Sequence, residues 1–455
     1  MVTAENEDTS TLTFPRTDAG NGELFAHLWQ SQVLYDHDQE HWLTWQGHRW
    51  AEDLDGTVQR LAVKTARHRH HTAVALTDFE DRKRETDFAR RSENQALLKA
   101  MLAQAQVQPT LAARADRFDL DPWLLRVENG IVDLRTGELS PGRPEDLVSL
   151  CTPIRFDPLA SCPRWEQFLR EIFPGHPSMV DYIWRAVGYS LSGDTRQQCF
   201  FICYGRGANG KSVFLNTLKA LAGDYGHAMA FSALEFEHRG QSDPHVAELV
   251  GRRLVTSSET NENTRLNEAR LKALTGGDEV SARRLYHGPF SFVPQLKLWL
   301  AVNHKPQIRD DSEGSWRRIK LVPFTRRFGP KEMDRELGDR LKRELPGILA
   351  WTVRGCAEWQ ARGLEEPEEV QRATADYQQE SDPLAEFITE CCFLGEEASV
   401  QAGVIYTAYR NWAEKRRLPD REVLSNRAFG ERLTSRFEKD RNKHHTYYLG
   451  LELNS

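Results

Sequence analysis

One short loop holds the residues of this 455-residue chain that are best suited to chemistry, Gly205-Arg206-Gly207-Ala208-Asn209-Gly210-Lys211-Ser212. The loop fits the phosphate-loop pattern G-x-x-x-x-G-K-[S/T] at every defined position. Glycines let the backbone curl so that its N–H groups face inward, and a following helix adds the positive end of its dipole, so bound polyphosphate is stabilised there. We predict that Lys211 reaches the β- and γ-phosphates and that the Ser212 hydroxyl ligates magnesium. The predicted nucleotide contacts are Gly205, Arg206, Gly207, Ala208, Asn209, Gly210, Lys211, Ser212 and Val213. The competing interpretation is a glycine turn between a strand and a helix that binds nothing.

Triphosphate hydrolysis needs groups that orient water and sense the γ-phosphate, and two polar residues that follow apolar runs are candidates. Glu259 follows "RRLVTSS", where it could polarise water or hold magnesium through the hydration shell of the ion. Asn303 ends "LWLAVN" and could hydrogen-bond the γ-phosphate or the attacking water. The alternatives are a surface acid and a surface amide at strand ends. The predicted metal ligands are therefore Ser212 and Glu259.

Two adjacent arginines, Arg317 and Arg318, precede another apolar run in "SWRRIKLVPF". The planar guanidinium of one of them could reach the γ-phosphate held by a neighbouring subunit and stabilise the charge that develops there. Adjacent strand residues face opposite sides, so we expect one of the two to point outward. The alternative is a pair of surface arginines at a strand edge.

The predicted loop must be positioned by a strand before it and a helix after it, and the sequence contains both patterns. Residues 200–204 form an apolar run, and apolar residues then recur with roughly helical spacing through residues 213–221. Further strands are predicted at 252–258 and 296–302, which favours an open α/β sheet with its ligand beyond the carboxyl ends of the strands.

The segment before residue 196 contains smaller elements. Three tryptophans in "HWLTWQGHRWAED" surround a glycine turn, which predicts a small β element and favours core packing over base stacking. A charged helical pattern follows over residues 57–105, and its "RHRHH" segment at 67–71 favours a solvated face over a metal site. "NGIVDLRTGEL" predicts a hairpin over 129–139. Beyond about Arg362, a charged segment predicts a connector.

Composition leaves the chain in the soluble globular class. It is 39% hydrophobic and 28% charged, which is enough for two or three domains with real cores. No apolar stretch approaches the ~20 residues of a membrane span, and the polar N-terminus lacks the apolar segment of a secretory signal. The seven cysteines form no C-x-x-C pair, so neither a disulfide framework nor a zinc ribbon is indicated. We expect a cytoplasmic protein without a membrane partner. The net charge of −7 excludes a uniformly basic coat but permits a local basic surface.

The order of "GRGANGKS", "RLVTSSETNE", "LKALTGGDEVSARRLYHGPFSFVP", "LWLAVNHKP" and "GSWRRIKLVPF" resembles the superfamily 3 helicases, in particular the phage and plasmid replication helicases related to the poxvirus primase-helicase. The resemblance implies an α/β fold with an AAA+ type P-loop ATPase core, a preceding mixed helical/β N-terminal region and a C-terminal winged-helix domain. It assigns Lys211, Glu259, Asn303 and Arg317 or Arg318 to the catalytic motifs. In the second motif Ser258 stands before Glu259, where viral members often have paired acids. The implied domains are an N-terminal region at 1–115, a helical collar-like domain at 116–195, the ATPase domain at 196–362, and a connector with a winged-helix-like domain at 363–455.

The segment between the second motif and the sensor resembles the DNA-contacting hairpin of that family. "SARRLYHGPFSF" alternates and is broken at His287-Gly288-Pro289, a natural hairpin tip. We predict that Arg283, Arg284 and His287 grip phosphates and that Tyr286 touches bases or sugar. The alternative is a charged surface hairpin. The winged domain is equally suited to DNA and to protein.

The sequence therefore predicts an ATP-dependent DNA helicase of phage, plasmid or mobile-element replication. It would use ATP and Mg²⁺ and work as a homo-oligomeric ring, expected to be a hexamer, on single-stranded or forked DNA. The first ~110 residues are too few for a primase domain, so a separate primase or replication protein is the expected partner. Two alternatives stay open: an origin-remodelling or loader ATPase without processive unwinding, and a nucleotide-gated scaffold.

Overall fold

A five-stranded parallel sheet carries the predicted phosphate loop in the middle of the chain. The computed structural model describes residues 14–236, 244–258, 264–283, 288–308, 310, 312–382, 384–418, 423–442 and 445–454. Within these residues the fold is mixed α/β, with smaller sheets before and after the central one. The predicted α/β class is confirmed.

The N-terminal elements form a four-stranded sheet in the order β3-β2-β1-β4, with helices packed against it. The small β element predicted around the three tryptophans is confirmed, since Trp45 pairs with Trp50 across a turn in which Gly47 has a φ of +78°. Trp50 is 2% exposed, so this tryptophan is a core residue. The elements are α1 (Asp18–Trp29), β1 (Val33–Asp36), β2 (His41–Trp45), β3 (Trp50–Glu52), α2 (Thr57–Val74), α3 (Phe79–Ser92), α4 (Gln95–Ala105) and β4 (Ala112–Ala113).

The solvated face predicted for residues 67–71 is wrong at one position. Arg69 is fully buried on α2, with its Nη1 3.3 Å from Glu85 Oε1 and its guanidinium 5.0 Å from the centroid of the Phe88 ring, both on α3. A charge pattern along one helix cannot show that a carboxylate on the next helix will cover it. Arg67, His70 and His71 are exposed, as predicted.

A three-stranded antiparallel meander and two helices follow. The predicted hairpin over 129–139 is confirmed, since β6 pairs with β7 on either side of a turn containing Gly137 at a φ of +76°. The elements are β5 (Leu124–Val127), β6 (Gly130–Asp133), β7 (Glu138–Ser140), α5 (Pro163–Ile172) and α6 (Pro177–Leu191).

The central sheet has the strand order β14-β8-β13-β10-β9, and every neighbouring pair is parallel. Each residue of β13 is buried, as expected for the middle of a sheet covered on both faces. The strands predicted at 252–258 and 296–302 are confirmed as β10 and β13. The elements are β8 (Phe200–Tyr204), α7 (Lys211–Ala222), β9 (Gly226–Ala228), α8 (Pro244–Ala247), β10 (Leu254–Ser258), α9 (Glu268–Thr275), β11 (Val280–Arg283), β12 (Pro289–Phe292), β13 (Lys297–Val302), α10 (Glu313–Trp316), β14 (Ile319–Pro323), α11 (Leu337–Arg343) and α12 (Leu345–Arg362).

One hydrophobic core joins the meander and helices α5 and α6 to the central sheet. Trp165 of α5 stacks on Phe214 of α7 with ring centroids 5.8 Å apart, and Phe201 of β8 stacks on Trp299 of β13 at 4.1 Å. Such aromatic contacts add to the free energy gained from burial alone. The domain boundaries stay predictions, and the core is continuous across residue 196.

The C-terminal elements have a separate core around a three-stranded antiparallel sheet in the order β15-β17-β16. From α14 onward, the order is helix, strand, two helices, two strands. The elements are α13 (Glu368–Glu380), α14 (Ala385–Cys391), β15 (Cys392–Gln401), α15 (Ala402–Lys415), α16 (Asn426–Thr434), β16 (Lys439–Arg441) and β17 (Thr446–Leu453).

Helix α13 lies in the segment for which the sequence predicts a charged connector, yet it packs against the central sheet. Its Thr374 Oγ1 accepts a hydrogen bond of 3.1 Å from the Leu321 N–H of the edge strand β14. Its Val370 and Tyr377 are buried. Two apolar side chains among polar ones gave too weak a periodicity to reveal this contact.

Among the residues that the structure describes, no helix has the length and apolar character that crossing a membrane requires.

Candidate nucleotide-binding site

The predicted phosphate loop connects the carboxyl end of β8 to the first residue of α7. Gly207, Ala208 and Gly210 have positive φ values of +89°, +49° and +85°, so the backbone curls through the left-handed region that glycine enters without a steric penalty. Gly205 is required for another reason, because a Cβ atom there would lie 2.2 Å from Asn209 Nδ2 and 2.5 Å from the Phe324 carbonyl oxygen. The loop therefore has the curled form that the pattern predicts.

Lys211 projects from the first position of α7 into the centre of the site. Its side chain is 5% exposed, and its Nζ donates to the Gly205 carbonyl oxygen and, at 3.2 Å, to Asn303 Oδ1. Burial lowers the pKa of this ammonium group, because desolvation disfavours its charged form. A lysine that is held in this way is positioned to receive an anion.

Asn303 reaches Lys211 because β13, which it follows, is the direct neighbour of β8. Val302 pairs with Tyr204, so the residues that follow the two strands leave the sheet at the same edge. Asn303 is exposed beside the loop. The structure thus brings together two of the predicted catalytic residues, which are 92 positions apart in the sequence.

A contact that the sequence did not reveal ties the segment after β14 to the loop. Asn209 Nδ2 donates to the Phe324 carbonyl oxygen at 3.3 Å, and the Phe328 N–H donates to the Ala208 carbonyl oxygen at 2.7 Å. Arg326 lies 4.8 Å from the centroid of the Phe328 ring. The sequence did contain a signal for this contact, namely a polar segment directly after an apolar strand. Because β14 is parallel to β8, the segment after β14 leaves the sheet at the same end as the phosphate loop.

The first turn of α7 is open to a ligand. Gly210 is its N-cap, and within the described part of the chain no side chain caps the turn. Free N–H groups and the positive end of the helix dipole favour phosphate at this position. Ser212, in the same turn, is exposed. The predicted metal ligand Ser212 therefore lies at the open turn where a bound phosphate would be, and its hydroxyl could reach a magnesium ion there.

Arg317 and Arg318 lie where the strands of the sheet begin, at the end opposite to the phosphate loop. They precede β14, whose first residue Ile319 pairs with Phe200 at the start of β8, so the five-residue strand places them about 16 Å from the loop edge. Arg317 is exposed and donates to Gln198 Oε1 at 2.8 Å. Arg318 is half-buried and donates to the Gly314 carbonyl oxygen. Burial, and then the neighbouring charge of Arg317, lower the pKa of Arg318.

The predicted DNA-contacting segment forms a hairpin in which β11 pairs with β12 in antiparallel register. Arg283 is exposed at the last residue of β11, and Gly288 and Pro289 are exposed on the returning side. Ala282, which pairs with Phe290, is buried, so β11 is packed against the protein up to the residue before Arg283. Four predicted site residues lie outside the described residues: Glu259, Arg284, Tyr286 and His287.

Family comparisons match three successive parts of the chain. Residues 22–174 match a family model described as D5 N terminal like, and residues 379–450 match one described as poxvirus D5 protein-like. Between them, residues 203–318 match a family of unknown function. This central match contains the phosphate loop, the hairpin and both arginines.

Similar curated proteins come from large DNA viruses. The protein named "Putative helicase L207/L206" of Acanthamoeba polyphaga mimivirus is 29% identical over 322 residues, which cover 65% of this chain and 33% of the relative. The protein named "Putative helicase 022R" of Frog virus 3 is 25% identical over 384 residues, which cover 65% of this chain and 39% of the relative. This chain thus spans only about a third to two-fifths of the length of these relatives.

A solved structure of the NrS-1 C-terminal region aligns with 90% of this chain and 84% of its own, at a TM-score of 0.48 and 12% identity. The two D5-related family matches thus lie on either side of the phosphate-loop sheet.

Proposed function

We propose that this chain is the motor of an ATP-dependent DNA helicase that serves the replication of a phage, plasmid or other mobile element. The observation that carries the proposal is the contact between Lys211 and Asn303 beside a curled phosphate loop. A bare glycine turn would need neither a buried lysine nor a neighbouring strand that delivers an amide to it. The likeness to viral proteins named helicases supports the same reading.

The residues of the site have separable roles in ATP hydrolysis. Lys211 would exchange its bonds to Gly205 and Asn303 for oxygens of the β- and γ-phosphates, which charge-assisted hydrogen bonds favour. Asn303, freed from the lysine, would orient the attacking water or the γ-phosphate. Magnesium, held by Ser212 and through water by Glu259, would neutralise phosphate charge.

The edge on which the arginines lie supports a site shared between two copies. About 16 Å of strand separates Arg317 and Arg318 from the loop of the same chain, which is too far for a guanidinium to reach its own γ-phosphate. In a ring, the end of the sheet that carries Arg317 and Arg318 in one copy would face the phosphate loop of the next copy. We therefore propose an AAA+ type ring, with six subunits as the expected number.

Two further features support DNA as the polymer that is moved. In the proposed ring, the β11–β12 hairpin would present Arg283 to the DNA strand, so each subunit contributes positive charge although the whole chain is acidic. The order of elements from α14 to β17 supports the proposed winged-helix domain, with α16 as the second helix of its helix pair, and such a domain would bind either DNA or a partner protein. A cytoplasmic location and a separate primase partner remain parts of this proposal.

The proposal is tested with Lys211→Ala, matched by Lys219→Ala on the exposed side of the same helix. We expect Lys211→Ala to lower ATP turnover at least ~10²-fold, because a preorganised donor to the reacting phosphate is lost. Lys219→Ala should keep wild-type turnover, and the wild-type protein should separate forked DNA only with hydrolysable ATP. Wild-type turnover by Lys211→Ala would refute the site. DNA-stimulated turnover without strand separation would favour the loader ATPase.

A further inference from the structure

The loop that carries Asn303 is held by a cation two residues further on. Lys305 Nζ lies 2.7 Å from Glu380 Oε2, 5.3 Å from the centroid of the Tyr204 ring and 5.7 Å from that of the Tyr377 ring. Tyr204 is the residue directly before the phosphate loop, whereas Tyr377 and Glu380 belong to α13. One ammonium group therefore connects the strand that enters the phosphate loop, the Asn303 loop and α13.

The α13 side of this contact is packed into the protein. Tyr377 is 1% exposed, its hydroxyl donates to the Pro306 carbonyl oxygen, and its ring meets Trp316 edge-on at 5.2 Å. Thr374 bonds the edge strand β14 one turn earlier in the helix. The Asn303 loop is thus pinned at two consecutive residues, Lys305 and Pro306, to a helix that cannot move without disturbing the sheet.

The burial of the two charges shows which contact matters. The Lys305 side chain is 17% exposed and the Glu380 side chain is 60% exposed. An ion pair with one partner this exposed contributes little, because water and salt screen it. Cation–π contacts strengthen when the cation is desolvated, so the two tyrosine rings are the stronger partners of Lys305.

We propose that Lys305 is a positioning residue for ATP hydrolysis. It fixes the loop at residues 303–306 so that the Asn303 amide faces Lys211, and α13 is the support against which it does so. The proposal rests on the function proposed above. Because Tyr204 precedes the phosphate loop and Lys305 follows Asn303, the two halves of the site keep their relative position through one side chain.

The test compares Lys305→Met with Lys305→Arg, Tyr377→Phe and a control, Lys320→Met. Lys320 forms a similar ion pair, 2.5 Å from Glu366, and its side chain is 14% exposed, but it is the second residue of β14. In Lys305→Met we expect kcat for ATP to fall about tenfold, equal to about 1.4 kcal/mol, while the Kd for a fluorescent ADP analogue changes less than about twofold. Lys305→Arg keeps a cation above both rings and should retain most of kcat.

Tyr377→Phe keeps the ring and loses only the bond to Pro306, so a smaller fall in kcat is expected. Lys320→Met should leave kcat unchanged. The inference is overturned if Lys305→Met turns over ATP like the wild type, or if kcat and nucleotide affinity fall together as they would in a misfolded site. A wild-type protein that does not hydrolyse ATP would instead overturn the proposed function, so the two failures are distinguishable.

Discussion

The phosphate loop places two physical requirements on Gly210, a left-handed backbone and the absence of a Cβ atom, and Gly210→Ala violates both. Gly210 has a φ of +85°, and an added Cβ would lie 2.8 Å from Ile172 Cγ2 and 3.1 Å from the Phe168 ring. The left-handed backbone costs an L-residue about 1–2 kcal/mol, and overpacking against two core side chains of α5 costs a further ~1–3 kcal/mol. We therefore expect Gly210→Ala to lower the free energy of unfolding by about 2–5 kcal/mol.

Gly207→Ala is the matched variant, because Gly207 has a similar φ of +89° and its added Cβ would meet no atom within 4 Å. It should show the backbone cost alone, about 1–2 kcal/mol. Urea unfolding of both variants without nucleotide measures the difference, and ATP turnover measures the effect on the loop. If the two variants lose equal stability, α5 does not pack against Gly210 as described.

Two further predictions concern the arginines and a buried lysine. Arg317 is the exposed arginine of the pair, so we choose it as the residue that acts on the neighbouring subunit. Arg317→Ala and Lys211→Ala should each be inactive alone, but mixing the two should restore ATP turnover, because each supplies the group that the other lacks at a shared site. An active Arg317→Ala, beside an inactive Arg318→Ala that regains turnover when mixed with Lys211→Ala, would contradict this choice. Burial, and then the charge of Arg253, lower the pKa of Lys297 to about 7. Between pH 7 and about 10 the unfolded chain therefore binds a proton that the folded chain does not, and the free energy of unfolding should rise with pH by up to ~1.4 kcal/mol per unit. In urea unfolding across this range, the free energy of unfolding should rise less steeply with pH in Lys297→Met than in the wild type. Equal slopes in the two proteins would contradict this prediction.

The strands and the loop of the site could be predicted because each is specified by nearby residues. Glycine positions, an apolar run and helical spacing define residues 200–222 within one window. The β11–β12 hairpin is similarly local, since Gly288 and Pro289 interrupt the alternation and the returning strand begins at Pro289. That Asn303 meets Lys211 followed from a rule about sheets, since neighbouring parallel strands end at one edge.

The remaining features depend on contacts between distant segments. Tyr377 lies 71 residues from the carbonyl that it bonds, in a helix whose other residues are mostly polar. Arg69 is buried by a carboxylate on the next helix. No local pattern encodes which polar segment will return to the sheet, so neither contact could be predicted from spacing alone. The roles of Glu259 and of the hairpin tip stay predictions.

The bond from Thr374 to β14 has a consequence for assembly. The unpaired N–H and C=O groups of an uncovered strand at the border of a sheet can pair with a strand of another polypeptide, which leads to aggregation. With α13 laid along that border, two copies would meet there through side chains rather than through a shared backbone ladder. Each nucleotide pocket of such an assembly could then open and close in turn, because no backbone hydrogen bonds of a continuous inter-subunit sheet would have to break.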